Sequence, residues 1–306
     1  MEAAPANLTK YGWLSLGVSL VVFAMKLVAF SITGSVGLLS DALESTVNIV
    51  AAIVALIALH TAARPGDASH HFGHGKAEYF SALVEGLMIL VAALFIIVTA
   101  VQRLIEPQPL EDLGIGLAIS VVASVFNGVT AMVLMRAGRR HRSIVLEADG
   151  KHLLTDVWTS AGVLVAVGLV ALTGWEVLDP LIAIGVAINI VFAGWVLIRS
   201  STAGLMDTAL PDEDHQAIVG VLRRYRERGV GFHAVQTRAS GRDRFVSMHV
   251  LVPGTWTVQQ GHDLVCELED DLCSALEQLT VQTHLEPSED PRSWEDVPPG
   301  GLPAEW

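Results

Sequence analysis

The chain has 306 residues, 52% of them hydrophobic and only 17% charged, with a mean hydropathy of +0.50. Soluble domains carry about 25% charged residues, so the composition points to a membrane protein. A net charge of −13 argues against nucleic acid as a partner, and the two cysteines, Cys266 and Cys273, fit neither a paired-cysteine metal site nor a disulfide framework.

The N-terminal Met-Glu-Ala-Ala-Pro has no basic n-region, so no cleavable signal peptide is expected and the first hydrophobic helix would direct insertion. Apolar stretches of roughly twenty residues, the length that crosses a bilayer, are expected as six helices at 11–31, 36–61, 77–103, 113–135, 147–172 and 177–200. Thr33-Gly34-Ser35 reads as a tight turn between the first two. Residues 63–76, rich in His, Gly and Asp, join the second and third, and the basic stretch 136–142 joins the fourth and fifth. Arg64, Lys76, Arg136, Arg139, Arg140, Arg142 and Arg199 fall on one side of such a bundle. Glu106, Glu111, Asp112, Glu176 and Asp179 fall on the other, with Arg103 as the exception. The positive-inside rule makes the basic side, and with it both termini, cytoplasmic.

Two polar stretches interrupt the apolar spans. Asp41, Glu44 and Asn48 lie on the second helix, and Asp149, His152 and Asp156 on the fifth. The second set repeats the first at a constant offset of 108 residues (149 − 41, 152 − 44 and 156 − 48). Spacings of three and four place each set on one helix face. Three spans separate the sets, so their helices run antiparallel, as in an inverted 3+3 repeat, which places a substrate site near the midplane. Helix-to-helix hydrogen bonding alone would favour Ser, Thr or Asn over carboxylates with a histidine. Face-to-face packing would set Glu44 level with Asp156 and Asn48 level with His152. Asp41 would then lie toward the outer mouth and Asp149 toward the cytoplasmic one. Lys26 and Glu85 also lie in apolar spans; Lys26 reads as snorkelling, and Glu85 as facing the bundle or a dimer interface.

After Ser200 the hydropathy falls. A helix from about Asp212 to Arg228, strands at 230–239 and 244–252, a helix at 257–279 and a strand at 280–285 are expected. That αββαβ order suggests a small two-layer α+β domain. The domain boundaries expected are 1–208 for the membrane part, 209–287 for the small domain, and a disordered Pro- and Glu-rich tail at 288–306.

Three constellations carry metal chemistry. In the membrane, Glu44 and Asp156 bring two charges that one divalent ion would neutralise, with His152 and Asn48 as neutral ligands. This N/O set suits zinc or iron(II), with manganese behind them. An imidazole near its ordinary value of about 6.5 also gives a route for a proton to replace the metal. In the 63–76 loop, His70 and His74 are four apart with Asp67 three before, although solvated interfacial histidines would look the same. In the small domain His233, His249, His262, His284 and Glu286 are scattered, and meet only if the fold gathers them. No HExxH motif for a zinc hydrolase occurs, so an enzyme is not expected.

The stretch Gly34–Ser45, the loop His71–Glu78 and the stretch Glu147–Ser160 resemble the cation diffusion facilitator family, in matching order from about Leu14 to about Pro287. The resemblance implies a homodimer of six-helix subunits in the inner (plasma) membrane, with a cytoplasmic metallochaperone-like domain. It implies export of a divalent metal in exchange for protons, with Zn2+ first and Fe2+ next, then cadmium, cobalt or manganese, and no catalytic cofactor. The family's intramembrane ligands fall on Glu44, Asn48, His152 and Asp156. The fifth-helix pair matches; the second helix departs twice, with Glu in a His/Asp position and Asn in an Asp position. Asp41 is then a candidate added ligand or proton carrier. The resemblance further assigns an interface site to Asp67, His70 and His74. It assigns a two-metal site to His233, His249, His262, His284 and Glu286, and an inter-subunit charge pair to Lys76 and Asp207. A membrane metal receptor that moves no ion is the alternative.

Overall fold

The computed structural model describes residues 7–33, 36–106, 114–175 and 177–295. The chain divides into two compact units, Met1–Thr202 and Ala203–Trp306. The turn expected at Gly34-Ser35, and Glu111, Asp112 and Glu176 of the outer loops, lie outside the described residues.

The first unit is built from α1 (Thr9–Thr33), α2 (Val36–Ala62), α3 (Ala77–Ile105), α4 (Gly114–His141), α5 (Ile144–Thr173) and α6 (Leu178–Leu205). All six are long and apolar enough to cross a membrane. Many of their large apolar side chains point outward: Val91, Leu94, Phe95 and Phe192 are all exposed. Beside buried Leu and Ile such as Leu134, Leu146 and Ile190, many of their buried positions are small or polar, among them Ala51, Ala52, Ala55, Ala131, Asn48, Asn127 and His152. This inverts a soluble protein and is what lipid demands, since close helix approach there depends on small residues. Gly86 and Gly194 show it between α3 and α6: a Cβ on Gly86 would meet Ile198 Cγ1 at 2.8 Å, and one on Gly194 would meet Leu90 Cδ2 at 3.0 Å. Helix α1 packs along α2, and α4 along α5, so the two halves of the repeat are built alike. Helices α1 and α4 also meet, as do α2 and α5.

The basic stretch expected as a loop at 136–142 is helix through residue 141. Helix α4 continues through Arg139 and Arg140 to His141, and the chain turns only at Arg142, whose φ is +54°. Hydropathy marks where lipid ends, not where a helix does, and cations in a last turn favour the helix dipole. Ser143 then donates from Oγ to Glu78 Oε2 at 2.6 Å, tying the start of α5 to the first turn of α3. At the opposite end Arg103, the exception to the charge asymmetry, pairs with Asp179 at 3.1 Å.

The second unit contains α7 (Asp212–Arg226), β1 (Gly231–Ser240), β2 (Asp243–Val252), α8 (Val258–Ala275), β3 (Leu279–Pro287) and a 3-10 turn at Pro291–Trp294. Acids open α7 and arginines close it, as the helix dipole favours. Thr257 and Gln260 form a reciprocal capping box at the start of α8. The sheet order is β1-β2-β3, with β1 antiparallel and β3 parallel to β2. Ile218, Leu222 and Tyr225 of α7 and Leu264, Leu268 and Leu272 of α8 share one core with Val246, Met248 and Val250 of β2. Both helices therefore cover one face of the sheet, in two layers. Helix α8 ends before the expected 279, because Leu276 still reaches the core after the helix stops. Apolar period alone cannot see that stop. Of the tail expected to be disordered, residues 288–295 are ordered: Asp290 caps the 3-10 turn, and Ser293 donates to Pro287 O at 2.9 Å; residues 296–306 lie outside the described residues.

Candidate metal centres

Within the first unit α2 and α5 bring Asn48, His152 and Asp156 together. Asn48 Nδ2 donates to Asp156 Oδ2 at 2.5 Å, and Asn48 Oδ1 lies 3.1 Å from His152 Nε2. Asn48 and Asp156 are repeat mates, 108 residues apart, and they touch each other. Equivalent positions of two inverted halves meet only beside the axis that relates them. Asn48 thus bridges both fifth-helix residues rather than standing level with His152 alone. The carboxamide oxygen, the Nε2 nitrogen and the carboxylate oxygen converge, a borderline donor set for a divalent ion. His152 is buried, and its Nδ1 finds no hydrogen-bond partner among the described residues. Asn127 of α4 was not foreseen; its Nδ2 stands 3.4 Å from Asp156 Oδ2. A polar side chain in an apolar span was the available signal. The side chains of Asp41 and Glu44 lie outside the described residues. Asp149 is buried one turn before His152 on α5.

The loop between α2 and α3 gathers Asp67, His70 and His74. Asp67 Oδ1 accepts from the Ser69 and His70 backbone N–H groups, each at 2.8 Å, and from the Ser69 hydroxyl at 2.8 Å. Those donors, the Ser69 hydroxyl first, hold its carboxyl far below the usual range of about 3.8. Asp67 therefore stays a ready anionic ligand across the physiological range, and any pH dependence of this cluster between pH 5 and 8 does not arise from it. Asp67 Oδ2 lies 3.4 Å from His74 Nε2, and the two imidazole rings are 4.5 Å apart. Glycines make the turn possible. Gly73 has φ +81°, and a Cβ on Gly66 would sit 2.5 Å from His71 O.

In the second unit strand register performs the assembly. His233 of β1 pairs with His249 of β2, and His249 with His284 of β3. The three imidazoles form a row, with successive ring centroids 4.9 and 5.1 Å apart. Glu286, two residues past His284, lies on the same face. Its Oε2 sits 2.8 Å from His233 Nε2 and 3.2 Å from His249 Nδ1, and its Oε1 is 3.6 Å from His284 Nε2. A carboxylate reaching three imidazoles with both oxygens has the form of a metal-bridging group. A bulge between His233 and Gln236 re-aims β1 here, with Ala234 at φ +51°. This row occupies the sheet face away from the helices, where Trp294 packs its ring 5.2 Å from that of His233. His262 is not gathered with the row; it is exposed on α8, 3.6 Å from Cys266 Sγ. Asp207, expected to pair with Lys76, is engaged within its own unit by Arg238 at 3.2 Å. Lys76 precedes α3 in the first unit.

Residues 12–206 match the cation efflux transmembrane domain, and residues 210–288 match the cation efflux protein cytoplasmic domain. An uncharacterised transporter of Synechocystis sp. is 53% identical over 93% of this chain and 92% of its own length. The cation-efflux pump FieF of Shigella flexneri is 32% identical over 87% of this chain and 88% of its own. FieF of Serratia proteamaculans is 33% identical, covering 94% and 95%. A six-helix unit whose inverted halves meet at Asn48 and Asp156, followed by an αββαβ unit with a histidine row, matched along both of its parts, makes this chain a multi-pass membrane protein of the cation diffusion facilitator family of cation efflux proteins.

Proposed function

We propose that the chain is a homodimeric antiporter of the inner membrane that exports a divalent metal from the cytoplasm in exchange for protons, with Zn2+ as first substrate and Fe2+ next. Residues 1–208 carry transport and residues 209–287 bind metal on the cytoplasmic side, with both termini there. The observation that carries this reading is the junction of Asn48, His152 and Asp156 inside apolar helices. An ionisable group at that depth is costly unless it handles an ion. The cation-efflux pumps similar to this chain support it.

Metal enters from the cytoplasm past Asp149 and meets a junction in which Asn48 is bonded to both fifth-helix residues. It takes the Asn48 oxygen, the His152 nitrogen and the Asp156 carboxylate, with Glu44 supplying the second negative charge. A proton on the imidazole must leave for the nitrogen to bind. The halves then rock about the shared site, metal leaves outward past Asp41, and an incoming proton resets His152. The loop cluster at Asp67, His70 and His74 and the cluster at His233, His249, His284 and Glu286 hold regulatory metal, with His262 of α8 recruited only on binding. Lys76 and Asp207 pair between subunits. The test is uptake of Zn2+ into inverted vesicles under a pH gradient. Asp156→Ala should reduce flux at least tenfold, and wild-type flux in that variant would remove the assignment. A metal receptor would bind Zn2+ with no gradient-dependent flux, and the histidine row of the second unit is what favours that alternative.

A further inference from the structure

A second group of carboxyls lies in the first unit, and the junction does not use it. Glu85 of α3 is 0% exposed and Asp149 of α5 is 1% exposed. Helices α3 and α5 pack against each other, with Ala82, one turn before Glu85, and Ala148, beside Asp149, in one buried cluster. Ser81, one turn before Glu85, and Ser15 of α1, which packs on α5, are buried as well. Both oxygens of Glu85, Oδ2 of Asp149 and the hydroxyls of Ser15 and Ser81 are buried without a hydrogen-bond partner among the described residues. Buried carboxylates left this way are costly unless a cation or proton meets them.

We infer that Glu85 and Asp149, with the Ser15 and Ser81 hydroxyls, form an oxygen-lined subsite for a divalent cation. Two carboxylates neutralise one such ion, and oxygen donors without imidazole make the subsite harder than the junction. Its place suits a waiting position. Asp149 lies about 4.5 Å before His152 along α5 and about 10 Å before Asp156, at 1.5 Å per residue. It lies on the side where Ser143 ties α5 to Glu78 of α3. The subsite rests on the transport reading for its role, a stop between the helix ends and the junction, but not for its binding.

The test therefore measures binding. Full-length protein in detergent is titrated with Mn2+ alone, a hard ion suited to oxygen donors, and free ion is counted by electron paramagnetic resonance. Glu85→Gln should hold one Mn2+ fewer per chain than wild type, and Glu85→Asp should restore it. Circular dichroism and gel filtration would establish that both variants fold. An equal count in wild type and Glu85→Gln overturns the subsite. So does an equal count with an altered pH dependence of flux, which would make the pair a proton holder. A lost Mn2+ in protein that shows no flux at all would leave the subsite standing and remove the transport reading instead.

Discussion

Under the proposed function, Asn48 is the residue on which metal choice turns. It donates to Asp156 and faces His152 at once, so the same side chain ties the junction together and would serve as a neutral ligand within it. Asn48→Asp removes the donor and sets two carboxylates against each other. Losing a hydrogen bond to a charged group costs about 1.5–3 kcal/mol, and the added charge favours harder ions. The metal-free protein should melt lower, and flux of Mn2+ relative to Zn2+ should rise about tenfold, which is about 1.4 kcal/mol of discrimination. Competition assays in proteoliposomes read this, and an unchanged preference order would refute a selective role for Asn48. At this scale the sequence was informative wherever chemistry was expensive. Carboxylates and a histidine inside apolar helices stand out because lipid penalises them. Asn127 escaped notice because a lone amide in a span does not break any pattern, and Glu85, though visible in its span, was given no role because nothing local names its partner.

Helix spacing on α2 and α5 could be read in advance, because three- and four-residue intervals fix a shared face whatever the surroundings. How closely two helices approach could not, since that depends on which small residue meets which backbone. Between α4 and α5 the answer is Gly138 and Gly150. A Cβ on Gly138 would lie 2.8 Å from Glu147 Cγ and 2.9 Å from Glu147 N, and one on Gly150 would lie 3.1 Å from Ala131 O. These helices carry Asn127, His152 and Asp156, so their separation sets the cage. Gly138→Ala forces α4 away from α5 at a cost of about 1–3 kcal/mol, the usual range for overpacking. It should lower the melting temperature and slow metal flux even though residue 138 touches no ion. Gly168→Ala on α5 is the control, because its Cβ meets nothing within 4 Å; a thermal melt should leave that variant at the wild-type value. In the second unit the same divide holds. Each histidine was visible as a residue in or beside a strand, but the row depends on register. Register follows from which residues turn inward across three strands, a non-local fact. His262 illustrates the limit, since membership in the cluster by resemblance did not bring its ring to the row.

Taken as a whole molecule, the chain under the proposed function separates a site that moves an ion from a site that reads one. The fall in hydropathy after Ser200 marks the change of unit, because a membrane and a soluble core select opposite surfaces. The fold-back of the tail left no such mark: Pro and Glu enrichment suggested disorder, whereas Asp290 and Ser293 fix a turn that lays Trp294 on the histidine row. That indole makes the separation testable. Zinc binding at His233, His249 and Glu286 should change emission from Trp294, and Trp294→Phe should remove the change. Glu286→Ala takes away the one carboxylate that reaches three imidazoles, so the zinc concentration for half the fluorescence change should rise at least tenfold. Flux in that variant should fall but persist, because the junction of Asn48, His152 and Asp156 is intact. Asp156→Ala should do the reverse, stopping flux while the Trp294 response keeps its zinc dependence. If Glu286→Ala abolished flux as completely as Asp156→Ala, the second unit would belong to the ion's path and its regulatory role would be wrong.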